Sequence, residues 1–285
     1  MLFVDTEEEF DWSRPFRHSH VQTSAIAALP GAHRRFVESG IRPTYLVDYP
    51  VINSETSGAV IRELADGGDA FVGAQLHPWV NPPLEEDISD RNSFAGNLPV
   101  DLERAKLRML TLRIEQMTGR RPFVYRAGRY GVGPRTAGLL IEQGYRLDVS
   151  VRPLFDYRRS GGPDFTHHPI WPWWVDERHT LLELPLGRGL LARAGLLQRV
   201  ALTPEDMPLR DAIAAIRLMI EEGVELFSLS YHSPSVEPGH TPYVRDAADL
   251  KTFWTWWDGI LDLFAREGIL PADPRMLLDS VDASH

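Results

Sequence analysis

The chain has 285 residues, enough for one large α/β domain or two small ones, and its 43% of hydrophobic and 25% of charged residues are typical of a globular protein. Its formal net charge of -10 argues against nucleic acid and anionic membrane surfaces as partners, because phosphates are bound by clustered Lys and Arg. The absence of cysteine excludes disulfides and thiolate metal sites, so any metal ligand must be His, Asp, Glu or Asn.

No stretch of the sequence approaches the roughly 18 unbroken apolar residues of a transmembrane helix. The first residues also lack the basic and then apolar pattern of a signal peptide. We therefore expect a cytoplasmic protein with no membrane span.

Short apolar runs alternate with helical patterns from one end of the chain to the other. Strands are predicted at 2–4, 43–47, 70–76, 123–125, 147–151, 181–186 and 225–230. Helices are predicted at 31–39, 55–66, 100–118, 134–143, 205–222 and 246–267. This alternation predicts a parallel sheet in a single domain over 1–285, and the length favours a closed or nearly closed barrel. No Gly-x-Gly-x-x-Gly turn follows the first strand, which disfavours dinucleotide binding.

Polar residues recur where the predicted strands end. Asp5, His77, Arg126 and His232 each follow a strand, and Asp148 lies within one. Catalytic residues of α/β barrels gather at the carboxyl ends of the strands. These five residues are therefore the candidates for a common site.

Four sequence blocks resemble those of the polysaccharide deacetylases, the NodB-homology or carbohydrate esterase family 4. In chain order they are Asp5-Thr6-Glu7, His77-Pro78-Trp79-Val80-Asn81, Arg126-Ala127-Gly128-Arg129-Tyr130 and Ser230-Tyr231-His232. The resemblance covers residues 2–265, and 228–245 resembles a divergent branch labelled WalW-like. It implies a distorted (β/α)7 barrel and metal-assisted removal of acetyl groups from N-acetylated saccharides.

The first block of the family implies a base at Asp5 and a metal ligand at Glu7. Residues two apart in extended chain point the same way, so both carboxylates can face one pocket while Thr6 turns away. Glu8 and Glu9 are predicted to be solvated loop charges.

The second block of the family holds two metal-binding histidines, His-x-x-x-His. Here His77 matches the first, and Asn81 stands where the second would be. The amide oxygen of Asn81 binds zinc or a harder ion more weakly than imidazole does. Three possibilities stay open: Asn81 coordinates, water takes its place, or no metal is bound. The resemblance implies a divalent metal, with zinc expected on Glu7, His77 and Asn81, and substrate contact by Trp79.

The remaining blocks imply roles for further residues. Arg126 would orient the base, Tyr130 would line the substrate site, and a backbone N–H near Tyr130 would help to hold the oxyanion. His232 is the expected general acid, with Tyr231 beside the substrate. Asp148 is expected to support the catalytic His by a hydrogen bond.

Two other functions remain open on the sequence. The replacement at Asn81 is compatible with a metal-independent amidohydrolase that acts on a small cyclic amide. The altered third and last blocks are compatible with a barrel that binds a saccharide without hydrolysing it. Trp171, Trp173 and Trp174 either line a saccharide groove or pack the end of the barrel.

Overall fold

The structure is a computed structural model that describes residues 1–11, 14–193, 196–205 and 207–283. The strands in these ranges are β1 (Leu2–Thr6), β2 (Thr44–Val47), β3 (Phe71–Leu76), β4 (Val124–Ala127), β5 (Leu147–Asp148), β6 (Trp173–Trp174), β7 (Leu182–Glu183), β8 (Arg188–Arg193), β9 (Leu196–Ala201) and β10 (Leu229–His232). The α-helices are α1 (Leu29–Glu38), α2 (Tyr49–Asn53), α3 (Glu55–Asp66), α4 (Val100–Thr118), α5 (Thr136–Glu142), α6 (Leu209–Glu221), α7 (Ala247–Glu267) and α8 (Pro274–Asp282).

Eight of the described strands form one curled sheet in the order β10-β1-β2-β3-β4-β5-β7-β6. All neighbours are parallel except β6, which runs antiparallel to β7 at one edge. Gly187 and Leu202 flank the β8–β9 hairpin and hydrogen-bond to Ser228 and Ser230, so this segment lies beside β10. The predicted single-domain distorted (β/α) barrel is confirmed.

The two faces of the sheet are packed differently, because side chains alternate along each strand. The outer face packs against the helices and forms the larger core, to which β1 contributes Val4 and β10 contributes Tyr231. The inner face forms a smaller apolar cluster around Phe3, Leu46 and Val124. Asp5 is two residues beyond Phe3 on the same face, so the apolar cluster is the floor beneath the polar end of the barrel.

Four elements were not predicted: the short helix α2, the strand β6, the β8–β9 hairpin and the helix α8. Helix α8 begins with a capping pattern that is visible in the sequence. The Asp273 side chain accepts hydrogen bonds from the N–H groups of Arg275 and Met276, and Pro274 is the first residue of the helix. Strand β10 begins four residues later than predicted, so His232 is its last residue.

Candidate active site

A pocket of about 190 Å³ opens at the carboxyl ends of the parallel strands. Its lining comes from β1, β3, β4 and β10 and from the loops that follow them. It includes the predicted residues Asp5, Glu7, His77, Arg126, Tyr130 and His232. Residues separated by up to 227 positions in sequence therefore share one cavity, as the strand-end rule requires.

Asp5 lies between a cation and an imidazole. Its Oδ1 accepts a hydrogen bond of 2.5 Å from Nη1 of Arg126, and its Oδ2 is 3.9 Å from Nε2 of His232. Arg126 is itself held by a 3.2 Å hydrogen bond from Nε to the carbonyl of Val149. Both members of the Asp5–Arg126 pair are buried, so the guanidinium keeps the carboxylate fixed in position.

Asp148 lies behind Arg126 and not beside His232, which corrects its predicted role. It accepts hydrogen bonds from the N–H and the hydroxyl of Ser150, and it pairs in register with Glu183 of β7. Burial raises the pKa of Asp148 to about 6, although the Ser150 hydrogen bonds and the charge of Arg126 act in the opposite direction. Parallel pairing places β5 beside β4, the strand that carries Arg126.

The partner of His232 is Glu205, a residue that the sequence analysis missed. Oε2 of Glu205 is 2.6 Å from Nδ1 of His232, and Oε1 accepts from the backbone N–H of His232 at 3.1 Å. Burial alone would lower the pKa of His232, but the charges of Glu205, Glu7 and Asp5 raise it well above the usual value. Glu205 follows the unpredicted β8–β9 hairpin, where no periodic pattern marks a strand end.

Glu7 and His77 face each other across the pocket. Nε2 of His77 is 3.5 Å from Oε2 of Glu7, and Nε2 of Gln75 donates to the same oxygen at 3.2 Å. All three side chains are nearly inaccessible to solvent, and burial raises the pKa of Glu7 to about 8. Two basic atoms that face each other at this distance need a proton or a metal cation between them.

Glu8 is fully buried, in contrast to the predicted solvated loop charge. Its Oε2 is 2.8 Å from Nδ1 of His77, and its Oε1 accepts a 2.8 Å hydrogen bond from the indole of Trp79. Its backbone N–H donates to Oδ2 of Asp48 at 2.7 Å. Burial raises the pKa of Glu8 to about 7 and raises that of Asp48 well above its usual value.

Glu8, Asp48 and His77 also present ligand atoms within 4.8 Å of one another, which is close enough for a metal ion. However, donors already occupy both oxygens of Glu8, and both oxygens of Asp48 accept backbone N–H groups, from Glu8 and from Val51. The cluster is therefore better suited to orienting His77. By accepting from Nδ1–H, Glu8 leaves Nε2 of His77 as the basic nitrogen that faces the pocket.

Besides Asp148, three predicted site residues lie outside the pocket lining, which corrects their expected positions. Trp79 is 2% exposed and stacks on His77 with the ring centroids 4.4 Å apart, so its face is covered. Nδ2 of Asn81 donates to the carbonyls of Pro82 and Lys106, at 2.7 and 3.0 Å. Tyr231 is fully buried on the outer face, because it alternates with His232 along β10.

The buried ammonium of Lys106 explains where Asn81 lies. It donates to the carbonyls of Pro78, Asn81 and Pro83 at 2.9, 2.6 and 2.6 Å. The turn after His77 therefore wraps around this cation, which keeps Asn81 against α4 and away from Glu7.

One wall of the pocket is formed by the loop after β4. Arg129 and Tyr130 both have left-handed backbone conformations, with φ of 54° and 60°. Gly128, just before them, packs directly on His77. A Cβ at position 128 would lie 2.3 Å from Cδ2 of His77. Only glycine permits this approach, so the loop and the imidazole are positioned together.

Solved structures with the same fold come from several kinds of enzyme, while no family model and no curated protein matches the sequence. A GH57-type branching enzyme from Pyrococcus horikoshii is 12% identical, with a TM-score of 0.55 over 98% of this chain and 69% of that one. A protein described as a probable polysaccharide deacetylase from Pseudomonas aeruginosa is 15% identical, with a TM-score of 0.50 over 94% and 91% of the two chains. An allantoinase is also 15% identical, with a TM-score of 0.50 over 92% and 88%. At these identities the likeness establishes the fold.

Among the helices described, none combines the length and the apolar content that crossing a bilayer requires.

Proposed function

We propose that this chain is a metal-dependent hydrolase of the polysaccharide deacetylase family, in its WalW-like branch, that removes acetyl groups from N-acetylated saccharides. One observation carries the proposal: Glu7 and Nε2 of His77 converge beside the Asp5–Arg126 pair, with His232 on the far side of Asp5. This combines two potential ligands, a fixed carboxylate and a proton donor in one pocket. The fold shared with the probable deacetylase from Pseudomonas aeruginosa supports it.

The geometry at Glu7 and His77 fits a divalent cation. Two ligand atoms about 2.1 Å from a tetrahedral zinc ion are roughly 3.4 Å apart. The observed distance between Oε2 of Glu7 and Nε2 of His77 is 3.5 Å. Glu8 holds the proton of His77 on Nδ1, as is usual for a metal-binding histidine. Glu7 and His77 would therefore hold the ion, and zinc is the cofactor we expect.

When bound, such an ion lowers the pKa of a coordinated water and polarises the acetyl carbonyl. Asp5 would accept the proton of the attacking water, with Arg126 aiming its carboxylate. His232 would protonate the departing amine, and Glu205 would stabilise the imidazolium before that transfer. The backbone N–H of Tyr130, held in its left-handed turn, is the candidate donor to the oxyanion.

A glycoside mechanism, as the likeness to branching enzymes would suggest, is not supported by the site. Glycoside hydrolases generally place two carboxyl groups on either side of the scissile bond. In the described pocket lining, the only carboxylates are Asp5 and Glu7, which lie two residues apart at the end of β1. One strand end cannot flank a sugar from both sides.

Acetate release from N-acetylated oligosaccharides tests the proposal, measured on chelator-treated protein with and without added zinc. We expect release only with zinc, and a loss of about 1,000-fold in Asp5→Asn, because general-base catalysis contributes on this scale. Full activity without metal would favour the metal-independent amidohydrolase, for which cyclic amides are the substrates to try. Saccharide binding without any release would favour the non-catalytic barrel.

A further inference from the structure

Gln75 is a buried residue of the pocket that none of the proposed chemistry uses. It lies on β3 two residues before His77, so both side chains point to the inner face of the sheet. It is 3% exposed and lines the pocket together with Glu7 and His77. The uncharged amide thus ends beside the proposed metal ligands.

The amide of Gln75 has one satisfied and one unsatisfied polar atom. Its Nε2 donates to Oε2 of Glu7 at 3.2 Å, and an amide nitrogen is the end that suits a carboxylate. Its Oε1 is buried and has no hydrogen-bond donor among the described residues. Buried amide oxygens nearly always have a partner, so the orientation with Nε2 on Glu7 leaves the amide half satisfied, and a cation bound to Glu7 would favour the reversed orientation.

We propose that Oε1 of Gln75 is the third protein ligand of the divalent cation held by Glu7 and His77. This inference rests on the metal site in the proposed function and assigns to Gln75 the place predicted for Asn81. Oε2 of Glu7 is 3.2 Å from Nε2 of Gln75 and 3.5 Å from Nε2 of His77, so an amide oxygen in place of the Gln75 nitrogen would have a spacing that suits neighbouring ligands of one ion. A half turn about the last torsion of Gln75, which has broad two-fold preferences, brings Oε1 towards that ion.

The donor set has a chemical consequence. One carboxylate, one amide oxygen and one imidazole form a harder site than a carboxylate with two imidazoles. Hard ions such as Mn²⁺ favour oxygen ligands, whereas zinc binds more tightly as imidazole replaces oxygen. Replacement of Gln75 by histidine should therefore increase the preference for zinc.

Asn81 offers a matched control for Gln75. It is also a buried amide whose oxygen, Oδ1, lacks a donor among the described residues, but its Nδ2 is bound to the carbonyls of Pro82 and Lys106. It does not line the pocket. Leucine at either position removes one buried amide, but only at Gln75 would a metal ligand be lost.

The experiment measures zinc affinity of the full chain by competition with a chromophoric chelator. It compares wild type with Gln75→Leu, Gln75→His, Asn81→Leu and His77→Ala. We expect one zinc per chain in wild type, none in His77→Ala and unchanged affinity in Asn81→Leu. We expect Gln75→Leu to weaken binding at least about 10-fold and Gln75→His to tighten it. With Co²⁺, the absorption spectrum should change in both Gln75 variants and stay as in wild type in Asn81→Leu.

The outcomes separate this inference from the function on which it rests. Wild-type affinity in Gln75→Leu, with zinc lost in His77→Ala, would overturn the role of Gln75 and leave the metal site intact. Absence of zinc from the wild-type protein would overturn the metal site and the inference together. Should Gln75→Leu not fold, an unchanged zinc affinity and Co²⁺ spectrum in Gln75→His would overturn the inference by themselves.

Discussion

The two histidines of the pocket are held in the same way but lie in different surroundings. Nδ1 of His77 is 2.8 Å from Glu8, and Nδ1 of His232 is 2.6 Å from Glu205. Nε2 of each then faces an acid at the end of β1, Glu7 at 3.5 Å for His77 and Asp5 at 3.9 Å for His232. Each imidazole is thus placed between a buried glutamate and a carboxylate at the end of the first strand.

What differs is access to solvent. The side chain of His77 is 2% exposed and covered by Trp79, whereas that of His232 is 23% exposed. A closed imidazole with a fixed tautomer suits a metal ligand, and an open one with a raised pKa suits exchange of protons with a substrate. The surroundings of each imidazole, more than the contacts of its ring, therefore assign the two proposed roles.

Removal of either imidazole should have the largest effect, and the two removals should differ in their effect on bound zinc. We expect His232→Ala to lower the rate of acetate release about 1,000-fold and to leave bound zinc unchanged, because it removes only the proton donor. His77→Ala should abolish both zinc binding and acetate release. Metal analysis beside the acetate assay distinguishes them, and loss of zinc in His232→Ala would show that the two roles are not separate.

A substitution at Gly128, which packs on His77, should disturb the packing of His77 and not that of His232. Gly128→Ala places a Cβ 2.3 Å from Cδ2 of His77 and 2.6 Å from the carbonyl of Leu76. We expect a loss of about 3 kcal/mol in the free energy of unfolding, measured in urea. The control is Gly138→Ala in α5, where no atom lies within 4 Å of the added Cβ and helix propensity favours alanine by up to about 1 kcal/mol. Equal stability of the two variants would contradict the close packing on His77.

Glu8→Gln tests whether the buried glutamate sets the tautomer of His77. The indole of Trp79 can only donate, so the new amide must turn its oxygen to Trp79 and its nitrogen to Nδ1 of His77. The proton of His77 then moves to Nε2, and we expect zinc affinity to fall roughly 10- to 100-fold. Chelator competition measures this, and wild-type affinity would show that Glu8 does not set the tautomer.

The same change at Glu205 should act on pH dependence and not on zinc. The charge of Glu205 raises the pKa of His232, so Glu205→Gln lowers that pKa. As general acid, His232 acts when protonated, so activity is lost as pH rises through its pKa. The alkaline limb of the kcat/KM profile should therefore move to lower pH in Glu205→Gln. A profile that kept its alkaline limb in place would remove His232 from the role of acid.

Much of the pocket could be predicted because strand ends are visible in the sequence. Asp5, Glu7, His77 and Arg126 follow short apolar runs, and the predicted parallel order brings such positions together. Glu205 could not be found this way, since it follows an unpredicted hairpin. Its pairing with His232 depends on the position in the folded protein at which the hairpin ends.

The amino-acid sequence alone predicts the alternation of strands and helices, the lack of thiolate ligands and the polar residues that meet at one end of the barrel. Which sequence neighbours face the pocket depends on the tertiary structure. It buries Glu8 against His77, draws Asn81 towards Lys106 and brings Gln75 to Glu7. These positions could not be predicted because an apolar pattern shows only which face of a strand is buried. Polar contacts between strands depend on distances in the folded protein, which the local sequence does not contain.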